Sequence, residues 1–140
     1  MKNTERFVLT PLEAAMLVKR ANFQATDAGE EYVSKARTKT LYKAPLQRVR
    51  GKEMFVKHLS APPNFVGGKH MHPDPVFVYV LEGELTVERA RGPKTFKAGE
   101  LYSEDISAAM VGKNLSATDD LELLVFQVGD IGKPMMIKVM

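Results

Sequence analysis

From about residue 39 onward the chain is a series of short strand-like runs, broken by Gly or Pro roughly every ten residues, which is the spacing of a sandwich or small barrel. "EMFVKHLS" (53–60) reads as a strand, "APPNFVGG" (61–68) as a loop, and "PVFVYVLEGELTVE" (75–88) as two strands joined across Glu82-Gly83. A turn at "ARGPK" (90–94) leads to "TFKAGELYSE", with a Gly turn at 99, then to "ISAAMVGKNLS", "LELLVFQVG" (121–129) and a terminal "PMMIKVM". No internal repeat interrupts this rhythm. The start of the chain differs. In "TPLEAAMLVKRA", Thr10 caps, Pro11 suits the first helical position and Glu13 completes a capping box, so a short helix is expected there. Residues 22–38 are polar and poorly periodic, as in a connecting arm. The expected organisation is an N-terminal helix and arm over 1–38 and a β-barrel domain over 39–140.

Composition removes several kinds of chemistry. With no cysteine, the chain has no disulfide, zinc ribbon, thiol nucleophile or iron-sulfur cluster. The absence fits a reducing compartment, and a cytoplasmic location is the expectation. Lys plus Arg exceed Asp plus Glu by only 20 to 17, and the excess is scattered, so no nucleic-acid partner is expected. The apolar run Ala14 to Val18 is too short to cross a bilayer, follows Glu13, and lacks a small-residue cleavage site after it. No membrane partner or leader peptide is expected. Nucleophile-elbow, phosphate-loop and dinucleotide glycine patterns are all missing.

One motif remains. In "GGKHMHPDPVFVYVLEGE" (67–84), His70 and His72 stand at i and i+2 beside a strand, so both rings point to one face and can share an ion if that face is a barrel interior. Gly67 and Gly68, Pro73 and the strand ending at Gly83 together resemble the first motif of the cupin family: Gly, His-x-His, a few residues, Glu, six residues, Gly. "AGELYSEDISAAMVGKN" (98–114) is similar to the second: Gly followed by Pro-x-Gly, two residues, His, three residues, Asn. The likeness extends over about 39–130 and is narrowest to small single-domain bacterial cupins with a His-x-His-Pro stretch. It implies an all-β fold, a cupin (jelly-roll) β-barrel, here with a short N-terminal helical arm.

The same likeness implies a metal site of three histidines and one glutamate, and this chain departs from it. The family's Glu falls on Val76 and its third His on Met110, while Asp105 and Ser107 stand where Pro and Gly are usual; Gly99 and Asn114 match. Glu104 is the candidate that completes a reduced site, because strand alternation gives 104 and 110 the same direction if no bulge intervenes. His70, His72 and Glu104 would form a two-histidine, one-carboxylate face with open positions, suited to Fe(II) or Mn(II). A His70, His72, Met110 set would instead be soft and suit copper, although methionine is also a common core filler. His58 and Tyr79 are candidate pocket residues beside Met110. Alternation groups Met54, Val56 and His58 on one face and Phe55, Lys57 and Leu59 on the other, without saying which is inside.

Three functions follow from these residues. The first is binding of a small molecule or of one divalent ion (Fe, Mn, Zn, Ni or Cu) through the reduced His-x-His site, with no assigned reaction. The second is a metal-dependent oxygenase, isomerase or lyase with a rearranged site. The third is a metal-free structural or dimerisation module, its pocket filled by Val76 and Met110. A homodimer is expected, because related barrels pair through edge strands. No catalytic residue is assigned.

Overall fold

A computed structural model describes residues 35–140. The expected helix and most of the arm lie outside the described residues. Strand β1 begins at Arg37, two residues before the expected boundary, and runs to Pro45. The others are β2 (Lys52–Ala61), β3 (His70–Met71), β4 (Val76–Glu82), β5 (Glu84–Arg89), β6 (Lys94–Lys97), β7 (Leu101–Glu104), β8 (Met110–Lys113), β9 (Leu121–Asp130) and β10 (Ile137–Lys138). They form two five-stranded sheets, ordered β1-β2-β9-β4-β7 and β10-β3-β8-β5-β6, with antiparallel pairing throughout. The all-β expectation holds.

Period-two alternation explains how the sheets face each other. In β9 every second residue is buried: Leu121, Leu123, Val125, Gln127 and Gly129. In β4 the buried set is Val76, Val78 and Val80. Leu121, Leu123 and Val125 of β9 and the three valines of β4 meet Leu59, Leu85, Val87, Phe96 and Tyr102 in a single core, and sequestering such apolar surface is the main force holding the sheets together.

One local expectation changes. The runs on either side of Glu82-Gly83 are both strands, but they do not pair as a hairpin. β4 belongs to the first sheet and β5 to the second, so Gly83 is the corner where the chain crosses between layers. Its φ is +81°, and a Cβ there would lie 2.7 Å from the Asp120 carbonyl oxygen, so both backbone conformation and space require glycine. The hairpin forms one step later, between β5 and β6, from Glu84↔Lys97 to Val87↔Lys94. β7 then returns to the first sheet beside β4. A different motif residue, Asn114, ties the loops at one end. Its buried amide donates to the carbonyls of Ala61, Pro62 and Asp119 at 3.3, 3.0 and 2.9 Å.

Candidate metal centre

The two-residue strand β3 places His70 between β10 and β8, opposite Lys138 and Met110. Alternation turns both imidazoles inward, as the i, i+2 spacing predicts: His70 is 2% exposed and His72 is 4%. Their ring centroids are 4.8 Å apart with planes at 84°. The backbone of His72 is fixed by Ser107 N–H, which donates to its carbonyl at 2.7 Å.

Glu104 arrives from the opposite sheet, at the end of β7, and is buried beside Tyr102 of the same strand. The expectation placed 104 and 110 on one continuous strand. Instead, β7 ends at Glu104, a turn with Ser107 at φ 59° intervenes, and Met110 starts β8 in the other sheet. Both side chains still face inward, each by the alternation of its own strand. In register Glu104 lies directly across from Val76, the position of the family's glutamate, so the carboxylate is supplied from the neighbouring strand. Met110, at the third-histidine position, lies directly across from His70.

His70, His72 and Glu104 each bring a ligand atom to within 4.8 Å of the others. Their hydrogen bonds fix which atoms those are. His70 Nδ1 donates to the Gly68 carbonyl at 2.8 Å and His72 Nδ1 to the Met135 carbonyl at 2.6 Å. Each ring therefore carries its proton on Nδ1 and turns Nε2 toward the cavity, the second-sphere arrangement that orients metal-ligating histidines. Burial pushes His70 down to about 4, against the opposing pull of its bond to the Gly68 carbonyl, so its ring is neutral at physiological pH. The neutral ring is the form that ligates.

The contact of His72 Nε2 with Glu104 Oε2, at 2.9 Å, is then informative. With the His72 proton on Nδ1, both facing atoms offer lone pairs, and Oε2 is buried without a hydrogen-bond partner. Such a pair is stable only when a cation, either a proton or a metal ion, lies between or beside the two atoms. The donor set therefore fits a divalent ion, with two imidazole nitrogens and one carboxylate on one side and space on the other.

That space is about 20 Å³, on the scale of one or two water-sized groups. Its walls are mostly apolar: Leu59, Val78, Leu85, Leu123, Val125 and Met136, with Met110 beside His70. Two polar side chains that the sequence reading did not single out also line it. Lys57 projects from the inward face of β2, between Phe55 and Leu59. Gln127 comes from β9 and lies 3.4 Å from His72 Nδ1. Burial pushes the Lys57 ammonium down to about 8, an effect that the Glu104 charge opposes. A charged residue flanked at i±2 by apolar partners, as in Phe55-x-Lys57-x-Leu59, was the available signal for it.

The remaining candidates separate. Because Phe55, Lys57 and Leu59 take the inward face, His58 points outward, where its Nε2 lies 2.7 Å from Glu122 Oε2. Tyr79, in register with Leu101 and Leu124, is only partly buried and alternates away from the inward-facing Val78 and Val80. Neither lines the cavity. Met110 does, as a buried core residue.

Comparison with known proteins agrees with this geometry. A family model described as "Cupin domain" matches residues 57–126, half of the chain. Among solved structures, the polyketide cyclase RemF from Streptomyces resistomycificus is similar at 16% identity and TM-score 0.58, over 76% of this chain and 72% of that one. KdgF from Halomonas sp. is similar at 17% and 0.54, over 66% and 78%. A Cupin 2 conserved barrel domain protein from Salinispora arenicola is similar at 15% and 0.53, over 69% and 76%. Likenesses at these identities establish the fold alone. No curated protein matches the sequence at a significant level. Among the described residues no helix is long and apolar enough to cross a membrane. The matched family model, the paired sheets and the inward-facing His-x-His together establish that the chain belongs to the cupin family.

Proposed function

We propose that this cupin binds one divalent metal ion through His70, His72 and Glu104, and holds a small molecule at the coordination positions they leave open. The observation that carries this reading is the 2.9 Å approach of His72 Nε2 to buried Glu104 Oε2, a contact that needs a cation between or beside the two atoms, with both imidazoles oriented by backbone carbonyls. Two histidines and one carboxylate suit Fe(II) or Mn(II), with zinc, nickel and copper the other ions to assay. When bound, the ion would act as a Lewis acid and orient an oxygen ligand. The chain's own part is to fix the two rings, supply one negative charge and surround the ion with an apolar wall that excludes bulk water. A metal-dependent oxygenase, isomerase or lyase is the enzymatic form of this reading, favoured by the open side of the donor set.

Elemental analysis of untagged protein tests it. Wild type should carry one equivalent of metal, and a His70→Ala/His72→Ala double variant none. Equal metal in both, or none in either after dialysis against micromolar ions, would refute the reading. The second result would leave the metal-free module.

We also propose a homodimer. Phe77, Leu81 and Leu101 are exposed apolar residues on the outer side of β4 and β7. Light scattering that gives a monomer mass at micromolar concentration would refute this.

A further inference from the structure

The metal reading leaves one charged group of the cavity without a role. Lys57 lines the same cavity as His70, His72 and Glu104, and its Nζ lies 5.9 Å from the Phe55 ring centroid. Among the described residues it has no carboxylate within 4.0 Å and no hydrogen bond. Register explains why Glu104 does not neutralise it directly. Lys57, Val125, Val78 and Tyr102 form one row across β2, β9, β4 and β7, while Phe55, Gln127, Val76 and Glu104 form the next. Lys57 and Glu104 thus sit at opposite ends of neighbouring rows, about 14 Å apart along the sheet at three strand spacings. Both side chains turn into the space between.

We infer that Lys57 is an anion anchor, and that the ligand of this cavity is a compact anionic oxygen compound, a carboxylate or enolate, held between the metal and the Lys57 ammonium. Charge points to this class. A divalent ion with one carboxylate leaves one positive charge, and Lys57 adds a second. Leu59, Val78, Leu123 and Val125 surround them with apolar surface, where net charge is costly unless a counter-charge is bound. The open side of a two-histidine, one-carboxylate set accepts an oxygen donor, and an ammonium donates to the oxygen that remains. At about 20 Å³ the space takes no more than the metal-bound acidic end of the ligand, and any remainder must extend out of it.

This inference rests on the metal reading, and the test keeps the two apart. Protein loaded with Co(II) is titrated with oxalate, the anionic probe, and with imidazole, a neutral ligand that needs no cation, each followed by the visible cobalt spectrum. Lys57→Met matches the lysine stem in length and should keep the fold, with Lys57→Gln as a second variant and thermal melting as the check. Both variants should retain one equivalent of cobalt, bind imidazole like the wild type, and bind oxalate at least about tenfold more weakly, the scale of one charge-assisted hydrogen bond. Unchanged oxalate affinity, or equal weakening of both probes, would overturn the assignment. If the wild type takes up no cobalt, the metal reading fails by itself. Oxalate is then titrated calorimetrically into metal-free protein, where binding lost in Lys57→Met supports the anchor and no binding to wild type overturns it.

Discussion

Replacing Glu104 with glutamine separates metal holding from packing, because the two effects have opposite signs. In the metal-free protein, the 2.9 Å approach of Oε2 to His72 Nε2 is relieved only by a proton shared between them, because the ring's other nitrogen already donates to the Met135 carbonyl. A glutamine amide in that place can donate to Nε2. The new hydrogen bond contributes about 1 kcal/mol, with a further gain from removing a buried charge. Lys57 loses only long-range attraction, since Glu104 is not within 4.0 Å of it. For a chain of 140 residues, about 1 kcal/mol moves Tm by roughly 3–5 °C, so metal-free Glu104→Gln should melt about 3–6 °C above wild type. With metal the order reverses. At a hundredfold excess over Kd, wild type gains about 2.7 kcal/mol, or roughly 8–13 °C. The variant, with its only charged ligand neutralised, should show less than about 3 °C of that shift. The assay is calorimetry after chelator dialysis, then repeated with Mn(II) or Zn(II). A metal-free variant that melts below wild type, or one that keeps the full metal shift, would refute the reasoning.

The other expectations are shorter. Asn114→Ala strands the loop carbonyls of Ala61, Pro62 and Asp119, and should cost about 2–4 kcal/mol in urea unfolding with metal stoichiometry unchanged. A loss under about 1 kcal/mol would show that water replaces the amide. His58→Ala breaks only the partly exposed pair with Glu122, so stability should fall by less than about 1 kcal/mol and metal content should hold; lost metal would place His58 in the site. For Lys57, the ammonium is lowered from 10.5 to about 8 by burial. Between those values the folded protein binds fewer protons than the unfolded chain, so stability from this group rises with pH across the window and is lost as pH falls through it. Urea midpoints of wild type minus Lys57→Met should therefore increase from pH 8 to 10, and a flat difference would refute the assignment.

Strand segmentation was legible from local pattern because every second residue of β4 and β9 must enter one core and turns need Gly or Pro. His70 and His72 sharing a face followed from the same geometry. Glu104 was legible too, though by a route that the structure replaces: alternation within β7 turns it inward, while the turn at 105–109 breaks the line to Met110. What local pattern could not supply was partnership. A Gly after a strand looks alike whether the next strand folds back beside it or crosses to the other layer, and only close packing against Asp120 makes Gly83 a corner. Nor could β2 choose its inner face. Met54-Val56-His58 and Phe55-Lys57-Leu59 are each part apolar and part basic, and the choice fell to the pairing with β9, which carries Phe55 and Leu59 into the core. That choice sends His58 to the surface and Lys57 into the cavity. Strands, turns and the His-x-His face depend on neighbours in the chain and are readable from it directly. The real position of Glu104, across from Val76, and the lysine at the far end of the adjacent row depend on register between strands distant in sequence, which only the folded sheets decide.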